Sequence, residues 1–140
     1  MRYIAKLKKE GRRTLVEFPD APGCVTFAEK DNDVNRLARE ALEGWLEAYL
    51  TSGQVPPVPR IRRGLAIDVP VHLALKVSIR QARAAAGLTQ AALAKKMGVA
   101  QQQVARLEDP DYNPTVESLE RAANALGAEL RIELEAKAHC

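Results

Sequence analysis

The period of the apolar positions changes along the chain, and the changes mark the elements. Tyr3, Ala5 and Leu7 alternate with Arg2, Ile4, Lys6 and Lys8, and residues 14–18 are rich in β-formers. Glu10-Gly11-Arg12-Arg13 separates the two runs, so they read as a hairpin. Phe18-Pro19-Asp20-Ala21-Pro22-Gly23 breaks the ladder, and Pro22-Gly23 suits the centre of a type II turn, whose second central position needs positive φ. Residues 24–27 form a third strand. The period then switches: Val34, Leu37, Ala38, Ala41, Leu42, Trp45 and Tyr49 follow helical spacing over four turns. Asp31, Asn32 or Asp33 caps this helix and Ser52-Gly53 ends it. Residues 65–69 supply one more strand. Three to four strands and one helix make a small α+β unit, with the helix covering one sheet face.

Residues 54–64 read as a proline-rich, extended linker around Pro56, Pro57 and Pro59. The boundary falls at Pro70, giving domains 1–69 and 70–140. The second domain reads as all-α: a helix over 75–86 ending at Gly87, a second capped by Thr89 and stopped at Gly98, a third over 101–108, and a fourth capped by Thr115 and ended by Gly127. Asp109-Pro110-Asp111-Tyr112-Asn113-Pro114 is a rigid loop between the last two. Leu130, Ile132 and Leu134 alternate with charged residues, as in a half-buried strand. A lone C-terminal strand leaves an edge unpaired, so these three residues are expected to pair with a second copy of the chain.

Net charge is only +3, but its distribution is uneven. No acid occurs between Val69 and Leu107, where Lys76, Arg80, Arg83, Lys95, Lys96 and Arg106 lie, whereas the remainder to Cys140 has eight acids and three bases. Such a basic segment is the footprint of a nucleic-acid-binding element. Cys24 and Cys140 are too few for a disulfide framework, and His72 and His139 lie at no metal-ligand spacing with them. No metal and no cofactor is expected. No apolar run approaches the ~20 residues of a membrane span. The charged start has no apolar stretch behind it, so no signal peptide is read and a cytoplasmic location is expected.

The run from Leu88 through Thr89-Gln90-Ala91-Ala92-Leu93-Ala94-Lys95-Lys96-Met97-Gly98-Val99 to Gln101-Gln102-Gln103-Val104-Ala105-Arg106-Leu107 resembles the helix-turn-helix of phage-repressor-type (Xre, Cro/CI) regulators. Ala94 is small where two helices cross, Gly98 permits the left-handed turn, and Leu93, Val99, Val104 and Leu107 fix the crossing. The resemblance implies that the second helix enters the major groove. Gln101, Gln102, Gln103 and Arg106 are then the base-reading candidates, since Gln suits adenine and Arg suits guanine. Thr89, Gln90, Arg80, Arg83, Lys95 and Lys96 are candidate phosphate contacts. Ala100 stands where such proteins often place a Ser or Thr cap.

The run from Phe18 to Thr26, Ala38-Arg39-Glu40-Ala41-Leu42, Gly53-Gln54-Val55-Pro56-Pro57-Val58-Pro59, Val69-Pro70-Val71, Asp109-Pro110-Asp111-Tyr112-Asn113 and Ala125-Leu126-Gly127-Ala128-Glu129-Leu130 together resemble the HicB family of antitoxins over nearly the whole chain. Where that family usually has a Gly-Asp-Thr cap, this chain has Ala28-Glu29-Lys30-Asp31-Asn32-Asp33. The resemblance implies a partial ribonuclease H-like first domain, no catalysis, binding of a HicA-type mRNA-cleaving toxin, and repression of the shared operon. A homodimer or higher oligomer on an inverted-repeat operator in double-stranded DNA is expected.

Two other classes compete. One is a repressor whose first domain senses a ligand or only oligomerises. The other is a nuclease in which Glu17, Asp20, Glu29 and Asp31 hold Mg²⁺; solvated turn acids explain these residues more simply. Cys24 reads as a buried strand cysteine, Trp45 and Tyr49 as core, and His72 as a linker residue.

Overall fold

The computed structural model describes residues 1–137; Ala138, His139 and Cys140 lie outside the described residues. Four strands, β1 (Arg2–Glu10), β2 (Arg13–Glu17), β3 (Val25–Ala28) and β4 (Leu65–Asp68), form one sheet in the order β3-β2-β1-β4, every neighbouring pair antiparallel. Gly11, at φ 64°, makes the tight β1–β2 turn. The Pro22-Gly23 turn forms as expected: Cys24 N–H donates to Ala21 O at 2.9 Å and Gly23 has φ 88°.

Helix α1 (Val34–Thr51) follows a single 3-10 turn, Asp31–Asp33, and covers one sheet face. No acidic side chain caps α1; the preceding 3-10 turn leads the chain into it instead. Its buried stripe is Val34, Ala38, Leu42, Leu46 and Leu50. The helical spacing in the sequence places this stripe through Trp45 and Tyr49. Both are only partly buried: their rings stack with centroids 4.1 Å apart, and Trp45 Nε1 donates to Pro22 O at 3.1 Å. The rotation has a simple cause. Leu46 and Leu50 lie on the line of Leu42, whereas Trp45 lies at the rim, where its N–H can reach a carbonyl. On β1, Tyr3 and Ala5 are buried as expected, but Leu7 is about half exposed: β4 pairs with β1 only as far as Ala5, and Leu7 lines an open pocket with Val34 and Asn35 at the start of α1.

The second half contains α2 (Val71–Ala85), α3 (Gln90–Met97), α4 (Gln101–Leu107) and α5 (Val116–Ala125). Helix α2 starts four residues earlier than its pattern predicts, directly after Pro70, whose carbonyl accepts from Leu73 and Ala74. His72 is therefore an exposed first-turn residue, not part of a linker. Leu73 and Val77 of α2 are buried in the same core as Tyr3, Val16, Leu42 and Ile67. Farther along α2, Ile79 joins Leu107, Leu119 and Ala122. Helix α2 thus contributes side chains to both clusters.

The proline-rich stretch is also no free linker. Pro56 is buried, Pro57 O accepts from the Tyr3 hydroxyl at 2.6 Å, and Gln81 Nε2 donates to Pro56 O at 3.0 Å. Asp20 Oδ2 accepts the backbone N–H groups of Arg60 and Ile61 at 2.8 and 2.7 Å. The strap returns the chain to the edge of β1 as β4, through Gly64 at φ 139°. A Cβ on Gly64 would lie 2.5 Å from Ile4 Cγ2 and 2.8 Å from Ala5 O. Gly64→Ala is therefore expected to cost about 1–3 kcal/mol of stability through strain. A lower urea midpoint at unchanged slope is the corresponding measurement.

The predicted C-terminal strand is not observed as one: residues 128–137 carry no assigned ladder. Leu130 packs beside Ile79, Leu107 and Leu119, Ile132 is about half exposed, and Leu134 is fully exposed. A single chain offers this segment no neighbouring strand, which a ladder requires.

Candidate nucleic-acid interface

Local chemistry sets α3 and α4 in place. Thr89 Oγ1 accepts Ala92 N–H at 3.0 Å and opens α3. Gly98, at φ 70°, closes it, with Gly98 N–H donating to Lys95 O and Val99 N–H to Ala94 O. Ala94 is buried at the crossing, and Leu93 and Val104 pack across it with Val99 at the side. Ala100 precedes α4 without a side-chain cap bond, and Gln103 N–H donates to Ala100 O instead.

This arrangement leaves Gln101, Gln102, Gln103 and Arg106 exposed on α4, and Lys95 and Lys96 exposed at the end of α3. Thr89 is exposed and Gln90 half-buried at the start of α3. Gln102 and Gln103 precede Arg106 by four and three residues, so all three share a helix side. The Arg106 guanidinium stands 5.7 Å from the centroid of Tyr112, within cation–π range. An open cleft of about 230 Å³ beside α4 is lined by Gln103, Arg106, Tyr112, Ser118 and Arg121. Arg121 is not among the candidates that the sequence suggests; its Nη2 donates to Met97 O at 3.1 Å and fixes the end of α3. Its cue in the sequence is a lone cation on an otherwise acidic α5.

Two expected phosphate contacts are corrected by the structure. Arg80 and Arg83 face inward onto Glu108, whose side chain is fully buried. Arg83 Nε reaches Oε2 at 2.8 Å and Nη2 reaches Oε1 at 3.0 Å, a bidentate pair, while Arg80 Nε reaches Oε1 at 2.6 Å. Lys76 is likewise buried and donates to Pro110 O at 3.1 Å. Burial depresses its pKa, opposed by Asp109, Asp111 and Glu47. Half of the basic segment is therefore structural, and its outward charge rests on Lys95, Lys96 and Arg106.

The acids considered for a metal site are not gathered. Asp20 is bonded to the strap, Asp31 pairs with Lys9 at 2.9 Å, and no group of three potential ligands occurs among the described residues. Cys24 is buried, which pushes its thiol up to about 11 and keeps it protonated. No helix among the described residues is long and apolar enough to cross a membrane.

A helix-turn-helix family model (HTH_3) matches residues 79–132, which contain α3, α4 and α5. Along the whole length, the chain is 31% identical over 136 residues to Antitoxin HicB 1 of Photorhabdus laumondii subsp. laumondii, covering 96% of this chain and 88% of that protein. It is 25% identical to Antitoxin HicB 2 of the same organism, covering 94% and 95%. It is 28% identical to Antitoxin HicB of Escherichia coli (strain K12), covering 84% and 87%. An end-to-end match of this kind, over an α+β sheet unit joined to a helix-turn-helix, places the chain in the HicB antitoxin family.

Proposed function

We propose that this protein is a cytoplasmic, non-enzymatic antitoxin that binds and neutralises a HicA-type mRNA interferase and represses its own operon. The observation that carries the reading is the combination of full-length similarity to HicB antitoxins with an exposed Gln101-Gln102-Gln103/Arg106 face on a helix-turn-helix. Toxin binding falls to residues 1–69 and DNA reading to residues 70–140, with α2 packed against both. Lys95, Lys96, Thr89 and Gln90 meet phosphates, while the α4 side chains meet base edges. The test pairs growth of cells co-expressing the toxin with operator binding across a salt series. Rescue of growth is expected, together with a salt slope that Lys95→Ala lowers by about one unit. Failure of rescue with a HicA-type toxin from the same operon would refute the antitoxin assignment.

The operator-binding form is a homodimer or higher oligomer built on the C-terminal segment. Leu130 anchors this segment to the core, while Ile132 and Leu134 are exposed, Ile132 in a groove lined by Val71, Leu75, Val116 and Leu119, with Val71 and Val116 also exposed. A second copy laid antiparallel on this segment covers both the unpaired backbone and the groove. It sets two α4 helices about 34 Å apart on an inverted repeat. Ile132→Glu combined with Leu134→Glu should yield a folded monomer by sedimentation and abolish cooperative operator binding. A dimer that persists would transfer the interface to the first unit.

A further inference from the structure

Arg80 belongs to α2, but its guanidinium joins two other helices. Nε donates to Glu108 at 2.6 Å, and Nη1 lies 3.2, 3.0 and 2.9 Å from the carbonyl oxygens of Tyr49, Leu50 and Gln54. The first two carbonyls belong to the last turn of α1, and the third to the start of the strap that follows it. The chain turns there through Gly53 at φ 77°, with Gly53 N–H on Leu50 O and Gln54 N–H on Tyr49 O. Glu108 caps α4 and lies two residues beyond Arg106. The last carbonyls of a helix carry partial negative charge and favour a cation. Arg83 alone already makes a bidentate pair with Glu108. Arg80 adds a further hydrogen bond to that carboxylate and, unlike Arg83, also ties it to α1.

We propose that Arg80 is a positioning residue that locks the DNA-reading helix α4 to the last turn of α1. Whatever binds the sheet unit and shifts that turn also shifts the presentation of Gln102 and Arg106. By linkage, DNA held by α4 resists the same shift. The functional consequence rests on the assignment of α4 to DNA; the mechanical lock does not.

The experiment strains the α1 turn and reads α4 in the full chain without DNA. A Cβ on Gly53 meets nothing within 4 Å, so Gly53→Ala introduces only the strain of an alanine at φ 77°. Amide hydrogen exchange over residues 104–108 is expected to accelerate at least about five-fold, the low end of typical coupling. In the Arg80→Lys background the acceleration should vanish. A compact ammonium can neutralise Glu108 but does not span from it to α1. Gly11→Ala is the control, because Gly11 also has open space and positive φ (64°) but sits in the β1–β2 turn. It should leave residues 104–108 unchanged. No acceleration in Gly53→Ala, equal acceleration in Gly11→Ala, or persistence of the effect in a folded Arg80→Lys chain would each overturn the lock. A duplex selected from random-sequence DNA by the unaltered chain gives the second readout. Its affinity should fall in Gly53→Ala by a similar factor. Exchange coupling without that fall would keep the lock and remove α4 from DNA reading.

Discussion

Glu108→Ala is expected to lower the unfolding free energy by about 3–5 kcal/mol, the cost of breaking a buried ion pair from one side. The substitution strands two guanidinium groups that are almost out of water, at Arg80 and Arg83. Urea unfolding of the full chain measures the loss; a cost under ~1 kcal/mol would mean that water reaches the site. The same carboxylate predicts a pH dependence. Burial alone would raise its pKa, but hydrogen bonds from Arg83 and Arg80 and their charges outweigh burial and hold it below the usual glutamate range. The folded pKa is thus depressed. Its contribution is complete above the unfolded value of about 4.3 and is lost as pH falls through the folded value. Stability of Glu108→Gln should consequently fall less steeply with acid than that of the natural chain, and identical acid profiles would remove Glu108 from this role.

The second large effect concerns DNA. Gln102→Ala and Arg106→Ala should each remove about 1–3 kcal/mol of operator discrimination while non-specific binding persists. Gln102 is neutral, so its loss should leave the salt slope unchanged. Competition between operator and unrelated duplexes supplies the measurement. Neither change should impair rescue from the toxin, because both side chains are exposed on α4 and far in sequence from the sheet unit. Loss of rescue in a folded double variant would mean that the toxin is held by the DNA-reading face.

Local chemistry made much of this fold legible. Thr89, Gly98, Thr115 and Gly127 mark helix ends because each solves a backbone problem that only a few residue types solve. The Pro22-Gly23 turn is similarly explicit. Direction was less legible. Lys76, Arg80 and Arg83 look like surface cations in a stretch without acids, yet their partners are carbonyls and one distant carboxylate. The available clue was Glu108, the first acid after that stretch, two residues past Arg106. The buried register of α1 was displaced because Trp45 and Tyr49 outweigh Leu46 and Leu50 in bulk, although the straight line from Leu42 carries the core. The C-terminal alternation names an apolar edge but not its neighbour, since strand pairing is a property of two segments. The prolines read as an extended linker, but their carbonyls and the strap's N–H groups find partners in Tyr3, Gln81 and Asp20, which no local pattern announces.

The return of the chain to β1 has a consequence for synthesis. β1 is a central strand, yet its second neighbour, Leu65–Asp68, leaves the ribosome only after α1 and the whole proline strap. In that interval the nascent sheet unit carries a bare backbone edge, and its core still lacks Leu73 and Val77. Strand edges of this kind are open to foreign pairing and to proteolysis. The first half of the molecule therefore matures only when the second has begun to appear. A chain broken off before Leu65 keeps a bare edge on β1, and one broken off at the start of α2 has its full sheet but not the Leu73 and Val77 that complete its core.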